Sequence, residues 1–375
     1  MVSEYRMCTR CVMDTTDPDI VFDGNGVCNH CHTYDRMVRE YVVDGDEGLR
    51  QLDMLAERIR RGGRNKKYDC IIGVSGGVDS TYVAYRVKQL GLRPLAVHLD
   101  NGWDSELAVK NIEETLKRLN IDLYTEVLDW EEFKDLQVSF LKASTPDSEI
   151  PTDHAIVALL ANMAEKIGVR YIIIGNNVRT ETHLPRAWSQ GHFDWKYISG
   201  LQKRFGSRPL KTFPHFNFFT YYRRMLTQKR IEILNYLGYN KKDALRVLQD
   251  ELGWRYYGGK HYESIYTRFY QGYILPNKFG FDKRRSHLSS LVCSGEISRQ
   301  QALDELKIPT YAPLMQEEDR EYVVKKLGLT EEEFTDIMQA PKKSYWDYPS
   351  DGNFMKQPLV QSLVPFVKRV VSWFK

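Results

Sequence analysis

Ile71-Ile72-Gly73-Val74-Ser75-Gly76-Gly77-Val78-Asp79-Ser80 joins apolar, β-branched residues to a turn of small ones, and its reading decides the fold. The first residues suit a parallel strand covered on both faces. Thr81-Tyr82-Val83-Ala84-Tyr85-Arg86-Val87 follows and can open a helix whose first amides face the turn. Strand, glycine turn and helix N-terminus together make an anion site. Gly76 and Gly77 let backbone approach oxygen atoms closely, Ser75 and Ser80 offer hydroxyl donors, and Asp79 can orient the loop or a bound magnesium ion. The expected ligand is the pyrophosphate of ATP. The Gly-Lys-Ser/Thr ending of the ordinary P-loop is absent, which disfavours γ-phosphate transfer.

Outward from this loop the pattern predicts strand 69–74, helix 80–90, strand 94–99, helix 104–119, strand 122–127, helices 131–142 and 153–167, and strand 170–175. That alternation predicts an α/β fold, a doubly wound parallel sheet with right-handed crossovers. Leu95-Ala96-Val97-His98-Leu99-Asp100 and Tyr171-Ile172-Ile173-Ile174-Gly175 bring polar groups and a turn to the carboxyl edge, where open α/β sheets bind nucleotides. The full Ser-Gly-Gly-Val-Asp-Ser string resembles the PP-loop ATP pyrophosphatases, which cleave ATP between its α and β phosphates to adenylate a substrate. The resemblance implies a HUP-like sheet of the adenine nucleotide alpha hydrolase type, with ATP and Mg2+ as cofactors. It also implies a loop contact from Val74 and adenosine contacts around His98 and Asp100. Related enzymes carry Gly-His-Asn and then an acidic residue after the last strand. Asn176 and Arg179 depart from that motif, so Gly175 is the expected nucleotide contact and Glu181 receives no metal role.

With 375 residues, 42% hydrophobic and 27% charged, the chain can bury one large or two medium cores. No segment has the apolar length of a bilayer span, and Met1-Val2-Ser3-Glu4-Tyr5-Arg6 lacks the apolar core of a secretion signal. A cytoplasmic location without a transmembrane segment is therefore expected. A net charge of +3 demands no nucleic-acid partner.

Four of the six cysteines form two knuckles, Cys8-Thr9-Arg10-Cys11 and Cys28-Asn29-His30-Cys31, across an Asp23-Gly24-Asn25-Gly26 turn. Four thiolates at this spacing suit a closed, structural Zn2+ site, with an iron-sulfur cluster as the main rival and a disulfide pair or redox dithiol as weaker ones. His30 and His32 are read as bystanders. Cys70 and Cys293 are read as small core residues. Related tRNA thiolases place a catalytic cysteine before the last strand, where this chain reads Ile150-Pro151-Thr152-Asp153-His154-Ala155. The missing thiol favours a nitrogen nucleophile, with Asp153 either an N-cap or a catalytic group. Position 2 is valine, and no length is spare for a glutaminase domain, so ammonia must come from a separate subunit or from solution.

Residues 183–285 are dense in aromatic and basic side chains, a mixture able to hold nucleic acid or, on a smaller scale, a nucleotide sugar; the balanced charge favours the sugar. His261, Ser264, Ile265, Arg268 and Phe269 share a helical face, from which His261 and Arg268 are substrate candidates. The expected organisation is a metal module at 1–35, a helical linker at 36–66, an ATP-binding domain at 67–182, a mainly helical substrate or partner region at 183–340 and an amphipathic tail at 341–375. Tyr34 to Arg61 is read as helical and solvent-facing, and the tail, broken by Pro365, as packing within the protein, on a partner or on a membrane.

The order of motifs, from Met7-Cys8-Thr9-Arg10-Cys11-Val12-Met13-Asp14 through the second knuckle and the phosphate loop to the run Lys260–Leu288, resembles the N-acetyl sugar amidotransferase family of bacterial surface-polysaccharide synthesis. The resemblance implies conversion of an N-acetyl group on an activated sugar to an acetamidino group in LPS or O-antigen synthesis. A HisH-like glutaminase would supply the ammonia alongside a HisF-like protein. In that chemistry Asp79, Lys278, Lys283 and Arg284 are the catalytic candidates, the three cations neutralising the α-phosphate or holding a UDP group. A homo-oligomer is compatible with all of this. Amidation of a sugar carboxylate and tRNA modification remain alternatives.

Overall fold

The computed structural model describes residues 4–259 and 262–356, which leaves His261 and the tail beyond residue 356 outside the description. Five strands, β1 (Cys70–Gly73), β2 (Pro94–Asp100), β3 (Asp122–Val127), β4 (Tyr171–Ile173) and β5 (Lys229–Ile231), form one sheet in the order β3-β2-β1-β4-β5. Every neighbouring pair is parallel. Alternate residues enter two separate cores: Ile71, Leu95, Val97 and Ile172 on one face, Cys70, Ile72, Ala96 and Ile173 on the other. Burial on both faces is why these strands read as continuous apolar runs, and it makes the sheet doubly wound.

Helices α1 (Asn29–Tyr41) and α2 (Gly45–Gly62) precede β1, and α3 (Val78–Gln89), α4 (Glu106–Leu119), α5 (Trp130–Ala143) and α6 (Ile150–Lys166) make the crossovers up to β4. Between β4 and β5 lie α7 (Val178–Glu181), α8 (Trp195–Phe205) and α9 (Phe218–Thr227). After β5 come α10 (Lys241–Leu252) and α11 (Ile265–Phe269), continued by a π-helical stretch at Tyr270–Phe279. The helices α12 (Arg284–Ser294), α13 (Arg299–Lys307), α14 (Pro313–Leu327), α15 (Glu331–Gln339) and α16 (Asp351–Met355) complete the described chain. No helix among the described residues is long and apolar enough to cross a membrane.

Two expectations change. The helix expected at Tyr34–Arg61 is two helices, because the Val43 amide leaves the helical pattern to donate to Asn235 O at 2.9 Å and Gly45 has φ +66°. Its second half is not solvent-facing, since Leu52, Ala56 and Ile59 are buried in the core beside β1. The sheet also does not end at residue 182: β5 pairs with β4, and Ala244, Leu248 and Leu252 of α10 pack in the same core as α3 and α4. Lys229-Arg230-Ile231 is short and charged, so no periodicity announced it.

Candidate active site

The strand order reverses between β1 and β4, and at that switch point the carboxyl ends of both strands open into a cleft of about 870 Å3. Gly77 is the N-cap of α3, which leaves the first amides of that helix directed toward the cleft. The loop is held from several sides. Ser80 Oγ donates to Gly77 O at 3.2 Å and accepts from the Ser75 amide at 3.2 Å, and the buried Trp254 indole donates to Gly76 O at 3.1 Å. Gly76 has φ +78°, and a Cβ there would stand 2.8 Å from Ala108 O. Gly175, at the end of β4, lies so close to α3 that a Cβ would meet the Ser80 amide nitrogen at 3.0 Å. Gly76 is a steric necessity, and Gly175 is a tight approach of strand to helix.

Of the residues singled out from the sequence, Val74, Ser75, Gly77, Asp79, Ser80, His98, Gly175 and Lys283 line the cleft, and Gly76 forms the turn behind them. His98 contacts Val74 O at 2.9 Å and Asp104 Oδ2 at 3.1 Å, so it fixes the strand entering the loop. Burial disfavours charge on this ring, but the Asp104 carboxylate outweighs burial and raises its pKa. Asp79 Oδ1 accepts from the Tyr239 hydroxyl.

Four sequence assignments end elsewhere. Asp100 Oδ1 accepts from the Gly102 amide at 2.8 Å, which makes it a turn-forming group outside the cleft lining. Lys278 is buried with Nζ donating to Ile337 O, and burial lowers its pKa to about 8. Arg284 is tied to Asp282 and donates to the carbonyls of Glu305 and Ile308 at 3.1 and 2.9 Å. Arg268 forms a bidentate pair with Asp319, at 2.7 and 2.8 Å. Chemistry alone marked these cations, whereas packing decides which of them reach the cleft. Arg230, Lys241 and Lys242 do line it, and their sequence neighbourhood gave no sign of that.

Opposite the loop stands a second polar wall that the sequence left unread. His192 Nε2 lies 3.3 Å from Asp153 Oδ2, 3.5 Å from Asp147 Oδ2 and 3.0 Å from Ser189 Oγ. Burial works against charge on His192, yet the two carboxylates raise its pKa to about 10 and keep it an imidazolium near neutrality. Glu149 Oε2 accepts from Lys283 Nζ at 3.3 Å and from Gln271 Nε2 at 2.8 Å. Helix α6 starts at Ile150, so Asp153 sits in its first turn and is not its N-cap. His154 is core: it is fully buried, stacks on Phe216 at 4.2 Å, and burial lowers its pKa to about 4. Asn176 Nδ2 donates to Glu181 Oε2 at 2.9 Å, and both residues line the cleft.

Away from the cleft, Cys8, Cys11, Cys28 and Cys31 converge in a fully buried cluster with Sγ–Sγ separations of 3.6, 3.7 and 3.8 Å. A tetrahedral ion with Zn–S bonds near 2.3 Å requires edges of about 3.8 Å. A 4Fe–4S cluster puts each thiolate on a different iron and a 2Fe–2S cluster divides them between two, which spreads the sulfurs further apart than the 4.8 Å within which they all lie here, so the spacing fits a single ion. The amides of Arg10, Cys11 and Cys28 donate to Cys8 Sγ, as expected around a thiolate. His30 and His32 are bound instead to Asp17 and Asp23, at 2.6 and 2.9 Å. Burial pushes the Cys70 thiol up and leaves it inert.

No curated protein matches the chain. Among solved structures it is similar to the NMN synthetase of Francisella tularensis, with 13% identity and a TM-score of 0.34, covering 82% of this chain and 98% of that one. It is also similar to the NH3-dependent NAD synthetase of Campylobacter jejuni, with 11% identity and a TM-score of 0.30, covering 83% and 98%. Residues 263–361 match the family described as LPS biosynthesis protein WbpG-like, C-terminal domain. That segment supplies Glu263, Ser264, Thr267, Gln271, Lys283 and His287 to the cleft. Residues 263–361 are thus similar to the WbpG-like C-terminal domain, and part of that segment shares the cleft with the glycine loop after β1.

Proposed function

We propose that this protein is an ATP-dependent, AMP- and pyrophosphate-forming C–N ligase that activates the N-acetyl group of a nucleotide-linked sugar, such as a UDP-diacetamido uronic acid, and exchanges its oxygen for ammonia. The observation that carries this reading is the shared cleft, one wall of which is a phosphate loop and the other partly a WbpG-like domain. The amide oxygen attacks the α-phosphorus, the bond to the β-phosphate breaks, and pyrophosphate leaves. Ammonia then adds to the imidate carbon, and AMP departs with the former carbonyl oxygen.

The loop amides, Ser75 and Ser80 hold the departing pyrophosphate, with α3 pointing its N-terminus at the negative charge. Arg230, Lys241 and Lys242 neutralise phosphate oxygens from the side. Glu296 Oε1 is buried without a hydrogen-bond partner, and Glu296 is close enough to Asp79 for that charge to help raise its pKa after burial. Such a pair fits a divalent cation, so Asp79 and Glu296 would hold Mg2+, which supplies charge neutralisation at the phosphates. His98 keeps Val74 and hence the loop in register. His192 and Lys283 present positive charge to a uronic carboxylate or a sugar phosphate from the opposite wall. Ammonia is drawn from a HisH-like glutaminase acting with a HisF-like protein.

The test is AMP and pyrophosphate release with Mg2+ and ammonium, comparing the sugar nucleotide with bulk tRNA, followed by fragmentation of the product by mass spectrometry. Sugar-dependent AMP with NH placed on the acetyl carbon is the expected result. NH on the uronic carboxyl would replace the acetamidino reading with amide formation, and AMP only with tRNA would overturn the sugar substrate.

A further inference from the structure

Next to the four-cysteine cluster lies a second group of donors that the knuckle pattern does not contain. Cys293, on α12, places Sγ 3.7 Å from Cys31 Sγ and 3.5 Å from His183 Nε2. Cys31, His183 and Cys293 thus gather their donor atoms within 4.8 Å of one another. These separations suit a metal. With bonds of about 2.3 Å to sulfur and about 2.0–2.1 Å to imidazole, a tetrahedral ion requires a sulfur–sulfur edge near 3.8 Å and a sulfur–nitrogen edge near 3.5 Å.

The hydrogen bonds of the histidine point the same way. Ser290 Oγ lies 3.0 Å from His183 Nδ1 and 3.3 Å from Ser286 O, which fixes the orientation of the ring. Nδ1 thus has a fixed hydrogen-bond partner in Ser290, while Nε2 is the atom facing Cys293. A metal-bound imidazole has this arrangement, its other nitrogen donating to a fixed partner. Charge adds a third argument. Four thiolates around one divalent ion leave a buried dianion, while a second divalent ion accompanied by the Cys293 thiolate reduces it to a monoanion.

We propose that the N-terminal module is one half of a two-metal site, in which Cys31 bridges a first zinc ion held with Cys8, Cys11 and Cys28 to a second held with His183 and Cys293. Three protein donors leave the second ion a fourth position, which half-buried Cys293 opens toward solvent and which a water fills. Binding removes the thiol proton of Cys293. The second ion would clamp three separate parts of the chain: the module, the segment after α7, and α12 of the WbpG-like domain. Because α7 ends at the cleft residue Glu181 and α12 carries the cleft residue His287, the clamp would brace the active-site wall without joining the reaction.

Elemental analysis of the full chain, purified under reducing conditions and reconstituted with Zn2+, tests this. Two zinc ions per wild-type chain are expected, falling to one in Cys293→Ser and in His183→Ala; one ion in the wild type, or two retained in both variants, would overturn the proposal. Should the variants fold poorly, cobalt(II) titration of the wild-type chain gives an independent answer. Two successive phases with different ligand-field spectra are expected, and a single phase matching a four-thiolate site would refute the second ion.

Discussion

The two walls of the cleft are built in opposite ways. The proposed phosphate wall is almost continuous in sequence: Val74 to Ser80 enter as one strand–turn–helix unit, and its geometry rests on Gly76, where a side chain would collide with backbone. The facing wall collects Glu149 from the N-cap of α6 and Asp153 from its first turn, His192 from the loop before α8, Gln271 from the π-helical stretch and Lys283 from the N-cap of α12. A local motif tolerates little change because it binds with its backbone. A composite wall instead relies on charge balance and on the packing that delivers each residue.

The contrast breaks most sharply at Gly76. Gly76→Val puts a branched side chain at φ +78° against Ala108 O, and AMP formation should fall about a thousand-fold, roughly 4 kcal/mol of barrier. Activity within about ten-fold of wild type would show that the loop does not hold the leaving group. Next in size is Arg268→Ala. It leaves the buried Asp319 with the Tyr311 hydroxyl but no counter-charge and should cost about 3 kcal/mol of stability in urea unfolding, with sugar KM unchanged in the protein that remains folded. A raised KM without lost stability would return Arg268 to the substrate site.

His192→Gln removes one of the composite wall's two named cations, leaving Lys283 and the loop intact. Sugar-dependent AMP release should drop about ten- to a hundred-fold with ATP affinity preserved; equal losses for both ligands would mean the walls are not separable. His192 also gives a pH signature. Because the folded ring holds its proton more tightly than the ordinary value of 6.5, its stabilisation is complete below that pH and fades as pH rises through about 10. Melting temperature across pH 6 to 10 should therefore decline less steeply in the variant than in wild type. The smallest effect is expected for Lys278→Met, which removes one hydrogen bond to Ile337 O and relieves a buried ammonium. Stability should shift by about 1 kcal/mol at most, with kinetic constants unchanged.

Legibility followed contact range. The parallel strands were readable because double-sided burial writes itself as Ile71-Ile72 and Tyr171-Ile172-Ile173, and the loop because glycine and serine are required at adjacent positions. Helix α2 was misjudged since only its Leu52, Ala56 and Ile59 stripe is buried, and β5 was invisible because two of its three residues are charged. Lys278, Lys283 and Arg284 looked alike as cations in one stretch. A π-helical turn and the partners Ile337 O, Glu149 and Asp282, of which only Asp282 is near in sequence, send one into the core, one to the cleft and one to a surface clamp.

By itself the sequence determined the α/β alternation, the strand–glycine turn–helix loop and the four-cysteine cluster, because each depends on residues close together in the chain whose chemistry and spacing suffice. Only the tertiary structure decided the composite wall, the fifth strand and the meeting of Cys293 and His183 with Cys31. Those arrangements join positions far apart in the chain, and burial on folding, rather than any local preference, selects which side chains meet.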